Sequence, residues 1–423
     1  MQEMDIHSVK NLRDIRRQDI RLLQKASRGE FVKQKRSELC EVEQSIQDVS
    51  LNQFKEYVKE LKKKQPSLYV LRNIRTSCRS EELIEAFFKI GGSLQNLIRV
   101  LIGNDAQKQL EAVACLTNLA CGSHRFTHKI ARNAGAYLVS FIDGGSSFLQ
   151  SQSAWAAGNI AADCCECFVV LKMQGLLPVL LKTIDCSTEH VFQSAVFALK
   201  VCTKYGDHEI INVASSDLPK KLLSFLLQGD ITRSIKMDLA FTLVNLLFLA
   251  VIHNLEIINI NVAETILKCL YNSVHEEVDL PVATPLLRCL GYLTSSEQIC
   301  KYLCQHLEFH VVTTSVLKSE CSHLKKELFW ILTNLLDVQD LTDDRALLPV
   351  LESVTVFLNP LNSAALPVLY YLFCLVLKNE RICSLFQQNK IILQIEYLSN
   401  CGNKELEFAS KLFLDTTEIK QII

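Results

Sequence analysis

One twelve-residue pattern returns six times along this chain at nearly constant spacing, and this recurrence limits the possible folds more than any other feature. The segments are EAVACLTNLACG (Glu111 to Gly122), SAWAAGNIAADC (Ser153 to Cys164), SAVFALKVCTKY (Ser194 to Tyr205), DLAFTLVNLLFL (Asp238 to Leu249), PLLRCLGYLTSS (Pro285 to Ser296) and KELFWILTNLLD (Lys326 to Asp337). Their equivalent positions are Asn118, Asn159, Val201, Asn245, Tyr292 and Asn334, with successive spacings of 41, 42, 44, 47 and 42 residues. Apolar residues at helical spacing with a period of this length mark a stack of helical repeats. A single unit cannot bury its own apolar face, so its stability comes from its neighbours.

The expected fold is therefore all-α, an armadillo-type, right-handed superhelical solenoid of about eight repeats, with the third helix of each repeat lining a concave face. Glycines mark the corners before second helices: Gly92 before SLQNLIRVLI, Gly135 before AYLVSFI and Gly175 before LLPVLLKTI. Glycine tolerates the left-handed backbone that such a corner requires. The reading divides the chain into a basic helical segment (1–40), a polar connector (41–66), repeats (67–400) and a C-terminal cap (401–423) with a short helix from Glu405 to Thr416. The stretch around Tyr371 and Leu375 keeps the period but lacks the signature.

Composition agrees and removes several classes of function. The chain of 423 residues is 49% hydrophobic, with only 8 Pro and 14 Gly, so little interrupts its helices. Lys+Arg 45 against Asp+Glu 46 gives a net charge of -1, which argues against a general nucleic-acid binder. The 17 Cys are scattered, many inside apolar runs (Cys115, Cys202, Cys289, Cys374), and no secretory leader is read, so they are expected to be reduced core residues. Cys164, Cys165 and Cys167 form a local cluster, but no second Cys/His pair follows at a zinc-site spacing, so no metal is expected there. The apolar runs Leu239 to Ile252 and Ala364 to Leu377 are 14 residues each, short of a bilayer span, and read as buried solenoid helices. No nucleophile and base, phosphate loop or metal-ligand set is evident, so neither an enzyme nor a cofactor is expected.

The aligned helices resemble the importin-α family, whose repeats carry a Trp followed four residues later by an Asn on the concave face. The chain has two Trp, Trp155 and Trp330, and both fall on that position, followed by Asn159 and Asn334. Spacing i, i+4 puts each pair on one helical face. An Asn carboxamide can both donate to and accept from an extended peptide backbone, while Trp faces pack the aliphatic stems of Lys. The resemblance implies a pocket for a dominant lysine formed by Asp163, Gly122 and Thr127, with Gln152 three residues before Trp155 as in the family. It implies a second, minor groove containing Arg288 at a Trp position, and Glu327, Trp330 and Asn334. Asn118, Asn159, Asn245 and Asn334 would hold the peptide backbone, with Phe241 four residues before Asn245. The departures are Ala114 and Phe197 at Trp positions and Val201 and Tyr292 at Asn positions; several lost clamps imply weaker or altered binding.

From Met1 to Arg36 ten basic residues stand against five acidic ones. The stretch RRQDIRLLQKASRGEFVKQKR resembles a thinned importin-β-binding helix, implying a carrier interface at Arg16, Arg17, Arg21, Lys25, Arg28, Lys35 and Arg36. Gly29 interrupts that helix. The function implied is a nuclear import adaptor of cytoplasm and nucleus, binding basic signal-bearing cargo and an importin-β-type carrier, with no nucleic acid and no membrane partner. The alternatives are a non-transport armadillo scaffold for another protein and a membrane-associated armadillo protein.

Overall fold

The computed structural model describes residues 49–422 apart from 229, 276–279, 337, 339–353, 363, 379–385 and 387–390. The described residues are helical and fall into two compact units, residues 1–202 and 203–423. Both have the armadillo-repeat construction.

In the first unit, α1 (Leu51–Glu60), α2 (Leu68–Ser77), α3 (Glu81–Lys89), α4 (Ser93–Leu101) and α5 (Ala106–Leu119) are followed by α6 (His124–Ile142) and α7 (Ser147–Asp163). Then come α8 (Cys165–Met173), α9 (Leu176–Thr183) and α10 (Glu189–Thr203), whose last residue is the first of the second unit. Helix starts are set by local chemistry: Ser50 and Ser67 cap α1 and α2 through Gln53 and Val70 N–H, and Asp105 accepts from Gln107 and Lys108 N–H at the head of α5. Gly92 (φ 78°) and Gly175 (φ 90°) turn the chain into α4 and α9 in the left-handed region, as expected from their positions.

Gly135 does something else. It lies inside α6, which runs unbroken where the sequence suggested a corner between two helices. A Cβ there would collide with Leu171 of α8 and with Gln174, which caps that helix, so this glycine permits close helix packing rather than a turn. Likewise α1 occupies the expected connector, burying Phe54 and Val58 against α2 and α3.

The second unit continues with α11 (His208–Ser215), α12 (Leu218–Leu227), α13 (Arg233–Ile252), α14 (Ile260–His275) and α15 (Leu280–Leu293). It ends with α16 (Glu297–Gln305), α17 (Leu307–Lys318), α18 (Ser322–Leu335), α19 (Ala365–Lys378), α20 (Ile391–Leu398) and α21 (Lys404–Ile422). The cap helix α21 starts close to the expected point and is longer than expected. Third helices stack directly on one another: α2, α5 and α7 in the first unit, and α13, α15, α18, α19 and α21 in the second.

This stacking explains the sequence period. Polar ties join residues about one repeat apart, including Arg72–Glu111, Asp143–Lys182 and Arg288–Glu327, each 39 residues apart. Helix α13 extends the run read at Leu239 to Ile252 back to Arg233, so by length and composition it could cross a membrane. In the described unit its apolar residues are mostly buried, packed on α11, α12 and α15.

Candidate functional site

Helix α7 is buried along most of its circumference from Ser153 onward. Its half-exposed residues there are Trp155, Asn159, Ala162 and Asp163, a single stripe with helical spacing, although the Asp163 side chain itself is only 3% exposed. The same stripe recurs on α13 at Phe241, Asn245 and Phe248, on α15 at Arg288, Gly291 and Tyr292, and on α18 at Trp330, Thr333 and Asn334. A helix wedged between neighbours keeps one narrow face open, and the site residues expected from sequence fall on it. On α5 and α10 that face is closed: Ala114 and Asn118 are buried, as are Phe197 and Val201. Ala114, Phe197 and Val201, three of the departures from the Trp and Asn pattern, thus fall where the stripe is closed, whereas Arg288 and Tyr292 keep it open on α15.

Phe197 shows how. Its ring lies 5.3 Å from that of Trp155, and it packs on Gly158, where a Cβ would come within 2.6 Å of the ring. A side chain at 158 would push α7 off α10, so Gly158 and Phe197 form a matched pair that walls one side of Trp155. Trp330 is flanked in the same way by Tyr370, stacked at 6.2 Å and 23°.

The asparagines are not free clamps. Asn118 donates from Nδ2 to the Arg75 carbonyl at 2.8 Å, Asn245 to Thr203 Oγ1 at 3.1 Å and Asn334 to Thr294 Oγ1 at 2.8 Å. Their partners lie 43, 42 and 40 residues earlier, so one amide hydrogen of each ties two repeats together. Of the carboxamide atoms, the carbonyl oxygen is the one chemically able to accept from a ligand N–H. Gln152 is fixed in a related way, donating to Thr117 Oγ1 at 3.1 Å.

The expected lysine pocket is brought together only in part. Thr127 is fully buried and donates to the Ala120 carbonyl at 3.1 Å, so it fixes the turn between α5 and α6 and does not line an open pocket. Gly122 sits against Ile84, which a Cβ would approach at 2.7 Å. Asp163 ends the α7 stripe, and its Oδ2 lies 2.6 Å from Nδ1 of His124, an exposed residue at the start of α6. Sequence reasoning missed His124. The available signal was register: it precedes Asp163 by 39 residues, about one repeat. Cys167 points its thiol at the same carboxylate, 3.8 Å away, and burial, with Cys164 and Asp163 adding to it, pushes that thiol well above its ordinary range.

The second expected acid is held similarly. Glu327 Oε1 accepts from Arg288 Nη2 at 2.7 Å and from Nε at 3.2 Å, with both side chains largely buried. Arg288 and Glu327 are therefore partners of each other, where the sequence reading set Glu327 to receive a ligand lysine. The expected carrier-binding residues Arg16, Arg17, Arg21, Lys25, Arg28, Lys35 and Arg36 lie outside the described residues.

No family model matches the chain. It is 26% identical over 286 residues to importin subunit alpha-9 of Arabidopsis thaliana, a match covering 64% of this chain and 53% of the relative. The chain thus spans about half the length of that curated relative. Among solved structures, an engineered protein shares the fold with a TM-score of 0.67 at 18% identity, covering 86% of this chain and 89% of its own. A designed armadillo repeat protein aligns with a TM-score of 0.47 at 21% identity, covering 57% and 99%.

Proposed function

We propose that the chain is an adaptor that holds extended Lys/Arg-rich peptide segments along the open stripes of its third helices and serves nuclear import. The observation that carries this reading is the Trp155, Asn159, Asp163 stripe on α7, echoed by Trp330 and Asn334 on α18. On such a stripe the Asn carbonyl oxygens accept from the peptide backbone, and the indole faces receive the stems of basic side chains. Asp163 attracts the leading ammonium group, which displaces His124 from the carboxylate. The resemblance to importin-α and the similarity to importin subunit alpha-9 support this assignment.

On this reading the basic segment 1–40 recruits an importin-β-type carrier, and the protein works between cytoplasm and nucleus. Its pattern of lost stripe positions resembles that of transmembrane and coiled-coil domain-containing protein 6, an importin-α relative, and fits a divergent receptor. A second reading, a scaffold for a partner that is not basic, is favoured by one observation: Asp163 and Glu327 are both already engaged within the protein, by His124 and Arg288.

The two readings separate by mutation. Trp155→Ala and Trp330→Ala should each weaken binding of a Lys/Arg-rich peptide by about 2- to 30-fold, the equivalent of a cation–π contact of about 0.5–2 kcal/mol. Isothermal titration of each variant reads this directly. Unchanged affinity in both variants would remove the stripes from the binding site.

A further inference from the structure

Four side chains of metal-binding type meet in the first unit where α7 ends, α8 begins and the head of α6 passes. They are His124, Asp163, Cys164 and Cys167, and one ligating atom from each lies within 4.8 Å of the others. We propose that this cluster is a transition-metal site for zinc, with Cys164 Sγ, Cys167 Sγ, His124 Nδ1 and an Asp163 carboxylate oxygen as the donors. Two sulfurs, an imidazole nitrogen and a carboxylate oxygen suit Zn²⁺, whereas Mg²⁺ and Ca²⁺ take all-oxygen sites.

The geometry requires little adjustment. Zinc distances of about 2.3 Å to sulfur and about 2.0–2.2 Å to nitrogen and oxygen separate neighbouring tetrahedral donors by about 3.3–3.8 Å. Cys167 Sγ already lies 3.8 Å from Asp163 Oδ2. The His124–Asp163 pair, at 2.6 Å, opens to about 3.3 Å on metal binding, which rotation of the exposed His124 ring accommodates.

The backbone presents the donors for this purpose. Cys164 is extended (φ -162°, ψ 169°), serving both as the C-cap of α7 and as the N-cap of α8, so Asp163 and Cys164 face one point from a sharp break between helices. Its sulfur accepts from Cys167 N–H at 3.3 Å, which holds the two cysteines on one turn at the head of α8. Glu166 Oε2 lies 3.8 Å from His124 Nε2, where it can steady the second ring nitrogen of a metal-bound imidazole. A dithiol that only formed a disulfide would have no use for an imidazole and a carboxylate converging on its sulfurs.

One consequence rests on the peptide-binding reading above: a metal held by Asp163 and a lysine bound at Asp163 exclude one another. Metal uptake itself does not depend on that reading, and the test contains no peptide. The full chain, reduced and stripped with chelator, is titrated with Co²⁺ and then with Zn²⁺. The expected result is a thiolate-to-cobalt charge-transfer band with tetrahedral visible bands, saturating at one equivalent per chain and bleached by Zn²⁺. Cys165→Ser, at an exposed neighbour outside the cluster, should keep the signal. Cys167→Ser and His124→Asn should each lose it, and circular dichroism shows that the exposed His124→Asn variant remains folded. No uptake, or a cobalt spectrum that survives both substitutions, would overturn the proposal. So would a Cys164–Cys167 disulfide that forms equally fast with and without Zn²⁺.

Discussion

Replacing Glu327 by alanine is expected to lower the unfolding free energy by about 3–5 kcal/mol, because it strands Arg288 as a buried, unpaired cation. The Arg288 side chain is only 17% exposed and that of Glu327 only 6%, and both guanidinium contacts fall on one carboxylate oxygen. The attraction of such a pair roughly offsets the cost of taking both charges from water, so losing one member costs far more than losing both. The double variant Arg288→Met with Glu327→Leu should therefore recover most of the lost stability. The urea midpoint of each variant, followed by far-ultraviolet circular dichroism, checks this. A single variant as stable as the parent would show that the pair is not desolvated.

A loss of about 3–5 kcal/mol is also expected for Phe329→Ala, by removal of contacts and creation of a cavity. The Phe329 ring is fully buried and meets Tyr371 edge-on at 5.6 Å and Phe357 at 5.9 Å. It therefore joins α18 to α19, the stretch in which the repeat signature fades from the sequence. Tyr371 is itself buried, and desolvation holds its phenol above the ordinary range, as expected of a ring that serves as core. Unfolding of the variant should begin at lower denaturant than that of the parent. An unchanged midpoint would mean that α19 does not brace α18.

The repeat register was legible because stacking demands similar residues at a fixed spacing, and Asn118, Asn159, Asn245 and Asn334 carry that demand openly. The open stripes were legible for the same reason, since i, i+4 spacing alone puts Trp155 beside Asn159. What could not be read was the other half of each contact, which lies a repeat away. His124 looks like an ordinary surface histidine until the fold brings it to Asp163, and Thr127 looks like a pocket residue until its hydroxyl is seen donating to Ala120. Gly135 reads as a corner in sequence because turn glycines and close-packing glycines look alike there; only the proximity of Leu171 and Gln174 tells them apart. Cys164 and Cys167 lacked a visible Cys/His partner pair because their partners come from α6 and from the last residue of α7, and not from a second local motif.

The most direct test of the peptide-adaptor reading is a fluorescence-anisotropy titration of a labelled Lys/Arg-rich peptide against the full chain, beside Asp163→Lys, at several salt concentrations. Saturable binding that weakens with salt and is lost in the charge-reversed variant is the result expected. Binding that is absent, or indifferent to Asp163, would contradict the assignment of the α7 stripe as a basic-peptide site.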